Sequence, residues 1–347
     1  MPAVSAWRRS ALVATVTAVV ALMPGLAYAG GRDGIGNAGG SEQTDPTAPQ
    51  DPSISASAGV QYDKSKNGSG PSAGPVTPVG NWTPPPCWYQ PTYTPAQMKT
   101  SSETVWGEAS PSQEWKSGQQ DRYVNGKPYT NFNLDKQGKG YFWAAYTPPE
   151  NGGVPGADSC KDEPFWVDKG QPAPSGHKNA VTREILAELA YAQILIPQGQ
   201  ATTNPAAAQT VNLPTWVWLD ATTFHPVSVT AYLPDYGISA TTTATPVSMH
   251  IDPGTEDATL YPASGDCPID AHGNIGTPYA KGDTGDPPCG VTYLRSTQTT
   301  GPYQLKATVT WKISWTGTGQ PTRVALPDGT FGTSQDVDVR EIQTVNR

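Results

Sequence analysis

The chain has 347 residues, of which 15% are charged, and its formal net charge is −8. An acidic chain has no electrostatic attraction to nucleic acid or to anionic lipid, so the composition argues against both as partners. Beyond residue 29 no segment approaches about 18 continuous apolar residues, so no transmembrane segment is expected in the mature chain.

The first 29 residues have the pattern of a secretory signal peptide. Arg8 and Arg9 precede an apolar run, and Ala27-Tyr28-Ala29 supplies the small-x-small pattern of a cleavage site. The apolar run is too short to span a bilayer comfortably, and no stop-transfer segment follows it. We therefore expect cleavage after Ala29 and a secreted, extracellular protein. The arginine pair leaves general secretion and twin-arginine export both open.

Residues 30–80 form a Gly/Pro/Ser-rich stretch with 11 glycines and 6 prolines, and Tyr62 is its only aromatic residue. A segment of this composition cannot bury enough apolar surface to offset its chain entropy. It predicts a disordered tether that ends at Gly80.

Residues 81–205 are predicted to form a smaller α+β portion with two short helices. Thr94-Pro95-Ala96-Gln97 is a capping box with proline at the first helical position, which predicts a helix to about Trp106. The second helix, TREILAELAYAQIL, has Thr182 as its N-cap, and Pro197 ends it. The apolar runs GYFWAAY and EPFWV are typical of strands.

In residues 206–347 apolar and polar side chains alternate with period two. The runs at 212–220, 225–233, 239–251, 304–317 and 336–345 are strand-like and are separated by Gly, Pro and Asp. Short strands at this spacing predict an antiparallel, immunoglobulin-like β-sandwich, so the chain is expected to be mainly β. The run at 304–317 would span roughly 40 Å, which is long for one strand and predicts a bend or bulge within it.

Two pairs of tryptophans each share one side of a predicted strand. Trp311 and Trp315 form one pair, and Trp216 and Trp218 form the other. The functional interpretation is a stacking platform for sugar rings or another planar ligand, and the alternative is core packing. Three aliphatic residues share the side of Trp311 and Trp315, which favours core packing for that strand.

Four cysteines in an exported chain predict two disulfides. Cys87 and Cys160 bracket one region, Cys267 and Cys289 bracket another, and we expect pairing within each region. No Cys-x-x-Cys motif is present, so neither a zinc site nor thiol catalysis is indicated.

The stretch DCPIDAHGNIG, residues 266–276, allows a calcium site. Asp266, Asp270 and Asn274 carry the hard oxygen donors that calcium binds in extracellular loops. The order departs from an EF-hand, because His272 stands where Asp or Asn would and no glutamate closes the loop. The simpler interpretation is a solvated turn. Motifs indicate no other cofactor and no catalytic residue.

Five further motifs are distributed along the chain: PPCWYQPTYTPAQMK, DRYVNGKPY, VNLPTWVWLD, PPCGVTYLRS and LPDGTFG. Together they resemble a group of secreted proteins from actinobacteria. The resemblance covers nearly all of the chain after the predicted tether. It implies secretion, and it implies no activity, cofactor or site residue.

We therefore expect a secreted, non-catalytic binding protein whose partner is a cell-envelope component or another extracellular protein. One alternative is an extracellular carbohydrate-active enzyme with a carboxylate pair that no motif marks. Another is a structural or assembly subunit of the cell envelope. Convergent carboxylates in an aromatic-lined cleft would favour the enzyme, and one exposed patch on a smooth sheet would favour binding.

Overall fold

The computed structural model describes residues 59–69, 73–81, 83–197, 199–222, 224–270 and 272–342. The expected signal peptide and the first part of the expected tether, residues 30–58, lie outside these ranges. Within the ranges the chain is mainly β, and none of the helices combines the length and the apolar character needed to span a bilayer.

The described residues form three α-helices and nineteen strands. The helices are α1 (Pro95–Gly107), α2 (Gln113–Tyr123) and α3 (Arg183–Ala192). The strands that precede α3 are β1 (Gln61–Asp63), β2 (Gly74–Pro75), β3 (Thr77–Pro78), β4 (Trp88–Tyr93), β5 (Gly140–Tyr146) and β6 (Phe165–Asp168). Those that follow are β7 (Leu195–Ile196), β8 (Thr202–Asn204), β9 (Gln209–Thr210), β10 (Pro214–Trp218), β11 (Val227–Leu233), β12 (Ile238–Asp252), β13 (Ala258–Tyr261), β14 (Asp266–Pro268), β15 (Gly290–Tyr293), β16 (Tyr303–Gly317), β17 (Gln320–Ala325), β18 (Gly329–Val337) and β19 (Val339–Arg340).

Helices α1 and α3 begin where the sequence predicts. The Thr94 hydroxyl accepts a hydrogen bond from the Gln97 backbone N–H, and the Gln97 side chain accepts one from the Thr94 N–H. This reciprocal pair satisfies two of the N–H groups that a helix start leaves unbonded. At the start of α3 the Thr182 hydroxyl accepts from the Ile185 N–H. Both capping predictions are confirmed.

Helix α2 is a third helix in a portion where the sequence predicts two. Its sequence, QEWKSGQQDRY, is polar, and it buries only Gln119 and Tyr123, one turn apart. With so few apolar positions, the helical period is not visible in the sequence. The expectation of two helices is therefore wrong by one.

The largest sheet is antiparallel and curls into a half-barrel. Its strand order is β1-β11-β12-β16-β18-β3, with β14 also paired to β12 and β17 also paired to β16. Helix α3 packs against β11, β12 and β16. The Thr242 hydroxyl on β12 donates a 2.7 Å hydrogen bond to the Ala187 carbonyl of α3, which fixes the helix on this face.

The antiparallel, mainly β prediction is confirmed, but an immunoglobulin-like sandwich is not. The reason is that a helix covers part of the inner face of the large sheet where a sandwich would place a second sheet. Leu186, Leu189 and Ala190 of α3 belong to the same buried cluster as Val229 and Trp311 of the sheet. The boundary expected near residue 205 therefore runs through a shared hydrophobic core.

Strand β16 is the alternating run noted in the sequence, and its apolar side faces the core. Trp311 is 0% exposed and Trp315 is 5% exposed, whereas Lys306 and Lys312 on the other side are exposed. The core prediction for this tryptophan pair is confirmed. The pairing of β16 with β17 shifts register between Trp315 and Gly317, as a long strand in a curled sheet requires.

Both predicted disulfides form. Cys87 pairs with Cys160, and Cys267 pairs with Cys289. The first ties the chain before β4 to the chain before β6, two strands of the β4-β5-β6 sheet. The second closes the segment between β14 and β15.

The predicted tether overlaps three strands, so its C-terminal part is not a tether. Strand β1 pairs with β11, β2 pairs with β7, and β3 pairs with β18. Strands β1 and β3 extend the large sheet and β2 forms a two-stranded sheet with β7, so none of the three needs an apolar core of its own. Gly68 is required for close approach, because a Cβ atom there would overlap the Leu195 carbonyl. Composition alone misleads here, because glycine permits packing as well as flexibility.

Replacing Asn67 by alanine should lower the free energy of unfolding by about 1–3 kcal/mol. Its amide nitrogen donates to the Gln193 carbonyl at 2.8 Å, and its oxygen accepts from the Leu195 N–H at 2.9 Å. Urea denaturation measures the loss, and Ser65→Ala on the exposed turn nearby serves as the control. An unchanged midpoint for Asn67→Ala would show that residues 59–69 do not dock as described.

Candidate functional site

Strand β10 presents two tryptophans on the outer face of the four-stranded sheet β13-β15-β10-β8. Along Pro214–Trp218 a buried threonine and a buried valine alternate with the half-buried Trp216 and Trp218. Successive side chains of a strand point to opposite faces, so both indoles lie on the face that turns away from the core. They differ in this from Trp311 and Trp315, which are buried.

The strand register sets a row of side chains across this outer face. Tyr261 of β13 is opposite Gly290 of β15. Gly290 is opposite Trp216 of β10, and Trp216 is opposite Asn204 of β8. Neighbouring strands are about 4.8 Å apart, so the strands that carry Tyr261 and Trp216 are about 10 Å apart. The two rings therefore flank a position that has no side chain.

Glycine is required at position 290 because Pro287 fills the centre of the row. A Cβ atom on Gly290 would lie 2.6 Å from Pro287 Cγ and would overlap the Thr215 carbonyl oxygen. Pro287 is buried, and the two rings on either side of it are half-buried. Any side chain at position 290 would push β15 away from β10, so the glycine keeps this face continuous.

The disulfide-closed segment, residues 268–288, adds a further ring. Tyr279 meets Trp216 edge-on, with ring centroids 5.7 Å apart and an interplanar angle of 73°. Backbone hydrogen bonds of 2.8 and 3.1 Å join Ile275 to Leu219 just after β10. The segment is thus held both by its disulfide and by the strand that carries Trp216.

Four half-buried rings together form what we call the aromatic face: Trp216, Trp218, Tyr261 and Tyr279. Rings of this kind bury well against a ligand that is apolar on its flat side and polar at its edge. A sugar ring has this shape, because its C–H bonds form a flat apolar side and its hydroxyls lie at the edge. Next to the indoles, Thr202 and Asn204 add a hydroxyl and an amide.

Sequence reasoning identified two of these four rings. The alternation in NLPTWVWLD marks Trp216 and Trp218 as neighbours on one face. Tyr261 and Tyr279 lie much further along the chain, and no pattern links them to the tryptophans. Only the register of β13 and the fold of the disulfide-closed segment bring them together.

Each residue of the predicted calcium site has a protein partner. One carboxylate oxygen of Asp270 accepts from the backbone N–H groups of His272 and Asn274, and the other accepts from the Asn274 amide. These bonds close a tight turn. Asp266 lies on β14, where its carboxylate is 2.9 Å from the His250 imidazole. The structure thus places Asp266 in a separate pair, and the calcium site stays a prediction.

Glu163 is a half-buried carboxylate outside the aromatic face. It accepts a 3.2 Å hydrogen bond from the Gln119 amide. Burial raises the pKa of the Glu163 carboxyl, although Gln119 and Arg122 act in the opposite direction. Glycoside hydrolysis requires two carboxylates that flank the substrate. The groups that affect Glu163 are an amide and a guanidinium, so this location does not favour the enzyme alternative, which stays a prediction.

Replacing Glu163 by glutamine should change how stability depends on pH. With a raised pKa, the folded protein holds this proton more tightly than the unfolded chain does. The contribution of Glu163 to stability is complete below its ordinary pKa of 4.5 and is lost as pH rises through the raised value. We therefore expect Glu163→Gln to gain stability relative to the parent between about pH 4.5 and pH 7.

Thermal melts across this pH range measure the effect. Glu256→Gln, at an exposed position, is the matched control for the loss of one carboxyl. A difference between Glu163→Gln and the parent that stays constant across this range would contradict the raised pKa of Glu163.

No protein-family model matches the chain, and no curated protein or solved structure is significantly similar to it. The ligand class of the aromatic face therefore has to be inferred from the rings and their polar neighbours.

Proposed function

We propose that the protein is a secreted, non-catalytic glycan-binding protein of the cell envelope and that the glycan binds on the aromatic face. The observation that carries this proposal is the set of four half-buried rings on one side of a sheet whose other side is buried. Leaving large rings partly in water forgoes hydrophobic stabilisation. A surface that gathers several such rings is typical of a binding site.

The chemistry of the face supports binding rather than hydrolysis. Around the rings, β8 supplies an amide from Asn204 and a hydroxyl from Thr202. None of these groups can serve as the acid or the nucleophile of a glycosidase. They can donate and accept hydrogen bonds at the edge of a stacked sugar.

Two features support the secreted location. Both disulfides form, and disulfides persist mainly in oxidising compartments outside the cytosol. The first 29 residues have the pattern of a signal peptide, and the motifs of the chain resemble secreted actinobacterial proteins.

Retention on insoluble cell-wall polysaccharide tests the proposal. The chain from Gly30 onward and its Trp216→Ala and Trp218→Ala variants are incubated with protein-free wall polysaccharide, and the bound fraction is measured against concentration. Loss of one central aromatic contact typically weakens binding by about tenfold or more. We therefore expect each variant to show an increase of that size in its Kd.

The matched control is Tyr232→Ala, which removes a half-buried ring from the outer face of the large sheet. This variant should bind like the parent. If Trp218→Ala folds normally and is retained as well as the parent, the aromatic face is not the binding site.

A further inference from the structure

An open groove with a volume of 640 Å³ lies beside β8. One wall consists of residues between Gln200 and Gln209, and the other is the end of β18, Ser334–Val337. Thr202, which is opposite Trp218 in the sheet register, also lines this groove. The groove therefore begins where the aromatic face ends.

Hydrogen bonds tie the two walls together beyond both ends of the groove. At one end the Thr333 hydroxyl donates to the Gly199 carbonyl at 3.2 Å. At the other end the Gln209 N–H donates to the Asp338 carbonyl at 2.8 Å, and β9 pairs in parallel with β19. The groove is thus held open by the fold, and a ligand would not need to order its walls.

The first wall is stiffened by buried polar groups that are already paired. The Gln209 side chain donates to the Pro205 carbonyl at 2.9 Å and accepts from the Thr215 hydroxyl at 2.6 Å. The Thr203 hydroxyl donates to the same carbonyl at 3.1 Å. Because these buried groups already bond to each other, they are not available to a ligand. Gln200 and Thr202 are exposed, and their side chains can form hydrogen bonds with a ligand from this wall.

The second wall offers an uncharged group as well. Gln335 is opposite the buried Leu305 in the register, so its side chain lies on the inner side of the large sheet, towards the groove. Ser334 and Asp336 also line the groove, but they alternate with Gln335, and both side chains bond to Gln304: the Ser334 hydroxyl donates to it and the Asp336 carboxylate accepts from it. The side chains that can bond a ligand in the groove are therefore amides and a hydroxyl.

We propose that this groove is a second subsite of the glycan site and that the ligand is an uncharged, extended chain bearing hydroxyl and acetamido groups. This inference rests on the function proposed above. Side-chain amides donate and accept hydrogen bonds as such sugars do. None of the described residues that line the groove carries a positive charge to pair with a carboxylate or phosphate, and the net charge of −8 opposes anionic polymers.

Isothermal titration calorimetry with defined oligosaccharides tests the groove. The probes are the di- and hexasaccharide of β-1,4-linked N-acetylglucosamine and a hexamer of galacturonate. The proteins are the parent, Gln335→Ala, Trp218→Ala and the control Gln171→Ala, which truncates an exposed glutamine after β6.

For the parent we expect the uncharged hexasaccharide to bind about tenfold more tightly than the disaccharide, as a few extra hydrogen bonds would give. Gln335→Ala should lose most of this gain and leave the affinity for the disaccharide unchanged. Trp218→Ala should weaken the binding of both, and Gln171→Ala should match the parent. The galacturonate hexamer should show no measurable binding.

Other outcomes separate the two proposals. If Gln335→Ala keeps the full gain in affinity with chain length, the groove is not a subsite, although a loss in Trp218→Ala would still support the aromatic face.

Tight binding of the galacturonate hexamer would show that the ligand is not restricted to uncharged chains. Retention of the parent on wall polysaccharide without binding of either N-acetylglucosamine probe would overturn the acetamido class. If Trp218→Ala binds both probes like the parent, the proposed function itself fails.

Discussion

Trp311→Ala should lower the free energy of unfolding by about 3–5 kcal/mol. The indole is 0% exposed on β16 and belongs to the main hydrophobic cluster. Its removal would cost the transfer free energy of the ring and would leave a cavity that close-packed neighbours can fill only in part. Urea denaturation of the purified variant measures the loss.

Two further variants make this result specific. Lys312→Ala truncates the next residue, which is exposed on the opposite side of the strand, and should change stability by less than about 0.5 kcal/mol. Trp311→Phe should cost far less than Trp311→Ala, because it keeps most of the apolar volume. The buried indole N–H has no hydrogen-bond partner among the described residues, so its loss removes no bond. If Trp311→Ala unfolds at the same urea concentration as the parent, the Trp311 ring is not buried in the core.

Removing the Cys87–Cys160 disulfide by a double alanine substitution should cost about 4 kcal/mol, because the bond closes a loop of 73 residues. Removing Cys267–Cys289, which closes 22 residues, should cost about 3 kcal/mol. The order follows from the larger conformational freedom that the longer loop regains in the unfolded chain. Chemical denaturation under non-reducing conditions compares the two variants with the parent.

The variant that loses less stability, without Cys267–Cys289, should lose more glycan binding than the variant without Cys87–Cys160. The Cys267–Cys289 bond closes the segment that carries Tyr279 and Pro287, so its loss should weaken retention on wall polysaccharide at a temperature where both variants are folded. Loss of Cys87–Cys160 should leave retention unchanged, because this bond lies in the β4-β5-β6 portion. Equal losses of binding would show that the disulfide-closed segment does not shape the site.

Elements fixed by neighbouring residues could be predicted from the sequence. The capping box at Thr94 and the N-cap at Thr182 each involve side chains within three residues of the helix start, and both are formed. The alternation over Tyr303–Gly317 sorts that strand into a buried and an outer side. The disulfide pairing could be predicted because each pair of cysteines brackets its own region.

What covers each face of a sheet could not be predicted, because the covering elements are distant in the chain. Strands β10 and β16 show the same alternation and each carries two tryptophans. Helix α3 packs against β16, and Trp315 lies in the same buried cluster as residues of that helix, whereas Trp216 meets Tyr279 of a loop segment and stays half-buried. The two alternating runs differ in the aliphatic residues beside their tryptophans, and the tertiary structure buries the tryptophans of β16 in the core and leaves those of β10 half-buried.

Fluorine NMR of the protein labelled with 5-fluorotryptophan tests the aromatic face most directly. Each indole gives its own resonance, and single Trp→Phe variants assign those of Trp216, Trp218, Trp311 and Trp315. Addition of the uncharged hexasaccharide should shift the resonances of Trp216 and Trp218 and leave those of the two core tryptophans in place. Binding that leaves Trp216 and Trp218 unshifted, while other indoles respond, would contradict the assignment of the glycan site to this face.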